Sequence, residues 1–313
     1  MAQASIFEQI LDPANRANPY PLYAELRKTP VAREADGTYI VSTYDEIVAL
    51  LHDPRVSSDI RNLVRQAGAT PSPQEGPPGL PEPFIRRDPP DHDRLRKLAM
   101  RPFGRTPPDA LMPFVPGWSR PRRACLTRSR ARTKSTSSDD VAYPFPVTVI
   151  CKLLGVPRED EARFHELADA GVETLDPTTG TIEQRKAKRD RTKAELGQYL
   201  AALADAHLRQ PGGDLLSGFL TDNGPDGRMS REEVLSTAAL LLVAGHETTV
   251  NLIANGMLTL LRHPGVFERL RREPELSIPL VEELLRYEPP VQFLPDRVTL
   301  ADIDIAGTTI PQG

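Results

Sequence analysis

Residues Ala244-Gly245-His246-Glu247-Thr248-Thr249 place a side-chain gap, an imidazole, a carboxylate and hydroxyls next to one another. A zinc-peptidase HExxH motif would need a second histidine one helical turn after His246, but that position is Val250, so the metal site is excluded. Ala244 and Gly245 carry little or no side chain, which lets a flat or bulky group come close to the backbone. A threonine inside a helix can compete for the hydrogen-bond ladder through its own hydroxyl and open a pocket. An acid beside an alcohol, Glu247 beside Thr248, is equipped to pass protons into a dry site. The plainer alternative is a polar patch facing a neighbouring helix, and residue chemistry alone leaves both open.

Two further clusters carry charge at helical spacing. Glu283 and Arg286 lie at i and i+3, close enough to pair on one helix face. Alone that spacing is ordinary, but Glu288-Pro289-Pro290-Val291 follows and forces an immediate exit into extended chain. His92 and Arg96 lie at i and i+4 and share a face, with Arg94 pointing elsewhere. A solvated basic face is the plain account of that segment.

The elements that must position these residues are mostly helical. Ser230 and Glu233 form a capping box that starts a proline-free run to Arg262. At about 1.5 Å per residue this rod is roughly 45–50 Å long and crosses a whole domain. Ala238 to Ala244 is apolar throughout, which predicts burial on every side. Residues 19–29, 44–52, 91–103, 183–208, 266–273 and 279–287 read as further helices, and REDEARFHELADAG (158–171) as another. Asp36-Gly37 between apolar residues marks a hairpin over 31–42. Residues 57–90 are rich in proline and glycine, as a lid or mobile segment would be. The stretch after Phe293 alternates like strands. The fold class is mainly α with small β-sheets near the two ends.

Composition narrows the function. The chain has 313 residues, ample for a sizeable core, and its formal net charge of −4 does not favour nucleic acid. Hydrophobic residues make up 39% and charged ones 26%, as in a soluble globular protein. The N-terminus lacks a basic region followed by a long apolar run, and no uninterrupted apolar run reaches bilayer length, so a cytoplasmic protein without membrane association is expected. Cys125 and Cys151 are too few for a disulfide framework and lack metal-site spacing. Between Asp109 and Asp139 there is no acid, while Arg120 to Lys134 is densely basic.

These pieces, in this order, resemble the cytochrome P450 family of haem-thiolate monooxygenases, in its soluble bacterial form. DPPDHDRLRKLAMRPF is similar to the helix carrying haem-propionate contacts, AGHETT to the oxygen-activating turn, and EELLRYEPPV to the Glu-x-x-Arg helix. DRVTLADIDIAGTTIPQG is similar to the strands that follow it. The resemblance covers the chain apart from about 104–138 and implies one domain over 1–313. It implies haem b as cofactor, with His92, Arg96 and Arg297 on the propionates and Ala244 and Gly245 over the distal face. Glu247 and Thr248 would deliver protons to bound dioxygen. Glu283 and Arg286 would form a buried structural pair, and Val291, Phe293 and the 57–87 loop would border the substrate pocket. The implied reaction is hydroxylation of a small or medium apolar molecule by a monomer, with electrons from a ferredoxin-type donor.

The family pattern is broken in two places. Its iron ligand is a cysteine in a glycine-containing loop several tens of residues past the Glu-x-x-Arg helix, and neither Cys125 nor Cys151 has that context. The expectation is a P450 fold incomplete at the C-terminus, without an axial cysteine and so without a metal ligand of its own. The basic stretch 104–138 replaces an acidic amphipathic helix, as a local reading-frame disruption would. The competing function is a catalytically silent fragment that does not bind haem. A nucleic-acid-binding role for residues 120–134 is the third and weakest reading.

Overall fold

A computed structural model describes residues 4–59, 61–62, 80–104, 141–173, 181–294 and 297–313. Residues 105–140, which hold the basic stretch and Cys125, and most of the loop between 57 and 87 lie outside the described residues.

The N-terminal part begins with α1 (Ile6–Leu11), whose Ser5 and Glu8 close a capping box, and α2 (Tyr20–Leu26). Strands β1 (Val31–Arg33) and β2 (Tyr39–Val41) pair antiparallel around a turn in which Gly37 takes φ 94°. Helix α3 (Tyr44–His52) leads into β3 (Val56–Ser57), which pairs antiparallel with β4 (Val298–Thr299). This short ladder ties the first part of the chain to the last. Strands β5 (Ile303–Ile305) and β6 (Thr308–Ile310) form a terminal hairpin.

Between these small sheets lie the helices α4 (Asp91–Gly104), α5 (Pro144–Leu154), α6 (Glu161–Glu173), α7 (Ile182–Arg209) and α8 (Leu215–Thr221). The long helix α9 (Arg231–Arg262), α10 (Pro264–Arg272) and α11 (Ser277–Tyr287) follow. Leu154 of α5, Phe164 of α6, Leu200 of α7, Leu216 of α8 and Leu242 of α9 are fully buried in one core. Each such side chain contributes about 1.5–3 kcal/mol over its exposed state. Helix α9 touches α5, α6, α7, α8, α10 and α11, so it is the element the others are packed around.

The start of α9 follows the sequence expectation. Ser230 accepts from the Glu233 amide, and the Glu233 carboxylate accepts from the Ser230 amide. Its middle departs from it. Within the apolar run only Ala238 and Leu242 are buried, and Ala244 is exposed. Neighbouring helices cover one side of the rod and leave the other open. By length and composition α9 could also cross a membrane. In this fold it packs against helices of its own chain.

One junction holds three helices at once. The Gly155 cap of α5 takes φ 70°, and its carbonyl accepts from His207 Nε2 of α7 at 3.1 Å. His207 Nδ1 lies 2.8 Å from Ser217 Oγ of α8, and the Ser217 amide donates to Asp214 at 2.8 Å. Serine, histidine and aspartate meet here as packing, because Ser217 is only 1% exposed.

Candidate functional site

The six-residue polar cluster sits at mid-length of α9, and helical geometry divides it. At about 100° per residue, Thr248, Asn251 and Glu247 fall within about 60° of Ala244, while His246 points to the opposite side. Ala244 is exposed, and Leu240 and Thr248 one turn away are half-buried, so this is the open side of the rod. The Thr248 hydroxyl donates to the Ala244 carbonyl at 2.6 Å. That bond does not break the ladder as expected, because α9 is continuous from Arg231 to Arg262. Asn251 donates to the Glu247 carboxylate at 3.1 Å and fixes one of its oxygens. Asn251 was not singled out from the sequence, although its i+4 spacing from Glu247 was available.

Gly245 belongs elsewhere. A Cβ there would point toward Ile150 of α5 at an ordinary contact distance of 3.6 Å, so Gly245 faces α5 while Ala244 fronts the open side. His246 likewise faces inward: it is fully buried, edge-on to Tyr143, with ring centroids 5.1 Å apart. Burial holds its imidazole below the ordinary histidine pKa, against the opposing pull of the Asp169 and Glu247 charges. Both accounts of the cluster therefore apply, each to a different side of one helix.

Helix α4 carries His92 and Arg96. The His92 ring lies against Phe84, 6.1 Å between centroids, and its Nδ1 is 3.0 Å from Asp93. Arg96 is exposed and has no ion-pair partner among the described residues. Its neighbours are engaged: Arg94 pairs with Glu233 at the start of α9, Lys97 with Asp226 at 2.8 Å, and Arg101 with Asp222 at 2.9 Å. Paired cations clamp α4 to the entry of α9 and leave Arg96 for another anion. Arg297, half-buried, opens the segment before β4.

The clamp gives a pH dependence. Burial pushes the Glu233 carboxyl up, but the Arg94 guanidinium and the Ser230 amide outweigh it and hold the pKa below the usual 4.5. A depressed carboxyl stabilises the fold above its unfolded pKa and loses that contribution as pH falls through the folded one. Glu233→Gln should cost about 1 kcal/mol at pH 7, since the half-exposed Arg94 is screened by solvent. Denaturant melts of both proteins should converge only as the pH falls through the depressed folded-state pKa of Glu233, below the usual carboxyl range, where the wild-type side chain also becomes neutral.

Expectations for the chain after α10 are corrected. Glu283 and Arg286 do pair, at 2.6 and 2.7 Å, but on the surface, with 55% and 69% of the side chains exposed. Helix α11 turns its Leu284 side toward Gly256 of α9 and its other face outward. Val291 and Phe293 are exposed as well. Phe293 packs edge-on against Phe7 of α1, with centroids 6.2 Å apart. Tyr20 of α2 donates to the Tyr287 carbonyl at 2.9 Å, so α1 and α2 hold the proline-rich exit in place.

A bundle wound around one long helix, with an acid and an alcohol on that helix's open side, is the arrangement that the resemblance to oxygen-activating haem enzymes implies. The cytochrome P450 family model matches residues 131–313, and the chain belongs to that family of haem-dependent monooxygenases. Among its relatives, the cytochrome P450 monooxygenase PikC of Streptomyces venezuelae is 41% identical over 307 residues, spanning 95% of this chain and 69% of PikC. The vitamin D(3) 25-hydroxylase of Pseudonocardia autotrophica is 37% identical over 95% of this chain and 71% of its own. Ligand-free Mycobacterium smegmatis CYP164A2 superposes with TM-score 0.83 at 34% identity, covering 98% of this chain and 76% of that one. The cofactor of the family is haem b.

The open side of α9 fits such a group. Ala244 presents only a methyl, and neither Leu240 nor Thr248 brings a charge, so a flat apolar face can lie against them. Cys151 does not fit the thiolate ligand. It is buried in α5, and burial, helped by Glu161, pushes its thiol up to about 12, so it stays protonated.

Proposed function

We propose that Ala244, Glu247 and Thr248 form the distal, oxygen-side wall of the haem site, with His92, Arg96 and Arg297 toward the propionates. The observation carrying this is the Thr248–Ala244 hydrogen bond on the open side of a helix whose other side is packed against its neighbours. The bond uses the hydroxyl hydrogen and leaves the Oγ lone pairs free to accept from a bound group or water. Rotation of the hydroxyl then delivers its proton, and Glu247, held by Asn251, replaces it. Haem supplies oxygen binding and activation when bound, and these residues supply protons, shape and exclusion of water.

The substrate is a small or medium apolar molecule, oxidised with dioxygen and electrons from a ferredoxin-type donor by a cytoplasmic monomer. The named activity of the vitamin D(3) hydroxylase supports the apolar class. Residues 1–313 form one domain, and 104–138 is a frame-disrupted stretch that resequencing of the encoding DNA would confirm or remove.

The test is a haemin titration of the full chain followed by a reduced carbon monoxide spectrum. Saturable haem uptake that Ala244→Trp abolishes supports the assignment. Absence of saturable haem uptake favours the silent fragment, to which the protonated Cys151 is the pointer.

A further inference from the structure

The cations assigned to the haem propionates come from two distant parts of the chain, and one side chain ties those parts together. His92 and Arg96 lie on α4, whereas Arg297 directly precedes β4. Strand β4 pairs with β3, placing Ser57 opposite Val298, the residue next to Arg297. Asp88 stands just before α4, and its carbonyl accepts from the His92 amide at 3.1 Å, which sets the first turn of that helix. Its carboxylate reaches the other way, to the end of β3. Oδ2 accepts from Ser57 Oγ at 2.5 Å and from Asn62 Nδ2 at 3.1 Å, and Oδ1 accepts from the Ser58 amide at 3.0 Å.

Ser57 is only 1% exposed, so its hydroxyl depends on a protein acceptor. Its oxygen also accepts from the Asp59 amide at 3.0 Å and from Asn62 at 2.9 Å, which leaves the hydroxyl hydrogen for Asp88. Hydrogen bonds to a charged acceptor are about twice as strong as neutral ones, and Asp88 accepts through both oxygens. One residue thus starts α4 and fastens that start to the ladder that leads to Arg297. A ligand gripped from both elements needs their spacing held to about 0.5 Å by the groups behind them.

We propose that Asp88 is the positioning residue of the propionate site, setting the distance between the cations of α4 and Arg297. The inference rests on the assignment of His92, Arg96 and Arg297 above and adds the group that keeps them in register. The Asp88 carboxylate is turned toward β3 and has the same charge as a propionate. It therefore acts through the two elements it joins, not on the haem itself.

Ferric haem and its dimethyl ester, which lacks the propionate charges, separate positioning from general stability. Each is titrated into the full chain and its variants, with uptake followed by Soret absorbance. The wild type should prefer haem to the ester, and Arg96→Gln and Arg297→Gln should each reduce that preference. Asp88→Ala should reduce it roughly tenfold, the worth of one charge-assisted hydrogen bond, with binding of the ester little changed. Asp88→Asn keeps the shape and one accepting oxygen, so its loss should be smaller, and it carries the test if circular dichroism shows the alanine variant unfolded. Before haem is added, hydrogen–deuterium exchange should quicken in both 91–98 and 297–300 of the Asp88 variants. Asp88 variants that keep the full preference, or that bind both compounds equally less well, would overturn the inference while the arginine variants still uphold the assignment. No uptake or no preference in the wild type, or a preference that the arginine variants keep, would overturn the propionate assignment and the inference with it.

Discussion

Thr248→Val in the haem-loaded enzyme is expected to consume reductant and dioxygen while forming little hydroxylated product. Valine keeps the shape and β-branching of threonine, so α9 and its packing persist. It removes the one hydroxyl on the open side beside Ala244, the donor at 2.6 Å from the Ala244 carbonyl. General acid catalysis of this kind contributes about 10²–10⁴-fold. Product per electron consumed should fall about a hundredfold, at the low end of that range, because water can partly replace the hydroxyl. Hydrogen peroxide released should rise in proportion. Thr248→Ser should recover much of the loss, since it restores the oxygen without the methyl. Substrate binding should hold in both variants, so the change lies in kcat and coupling, with KM little altered. Unchanged coupling in the valine variant would remove Thr248 from the relay.

The largest structural effect is expected at a glycine far from that site. Gly155 ends α5 at φ 70°, where a Cβ would meet His207 Cε1 at 2.4 Å and Asp214 Cγ at 2.6 Å. Alanine there adds the left-handed backbone penalty of about 1–2 kcal/mol. It must also push apart the His207–Ser217–Asp214 contacts, and a broken buried hydrogen bond costs about 1–3 kcal/mol. Gly155→Ala should therefore destabilise by about 2–5 kcal/mol, a thermal midpoint lower by roughly 3–8 °C for a chain of this size. Combining it with His207→Ala should cost less than the sum of the two, because the truncated side chain makes room for the new methyl. Strict additivity would mean that the backbone conformation alone sets the cost.

The surface pair Glu283–Arg286 shows where motif and structure part. The spacing required the two side chains to be neighbours, and they are. Burial is not a property of spacing, and α11 turns only its Leu284 side to α9. Phe293 is a similar case: an aromatic after a double proline marks an ordered exit, but its partner, Phe7, comes from the other end of the chain. Tyr143 and Asp169 carry no local signal, because their meaning depends on α5 and α6 converging on His246.

What the sequence settled by itself was local and periodic. The capping box at Ser230, the turn at Gly37, the prolines after Glu288 and the order of the four family motifs all act over a few residues, where sterics and hydrogen bonding leave few choices. They were enough to define the helices, the fold class and the family. Which side of α9 would be open was not decided there, since an all-apolar run carries no directional information. Only the packing of α5 and α6 on one side could make Gly245 a contact and His246 a buried imidazole. The same packing left Ala244 and Thr248 as the face where the chemistry is placed.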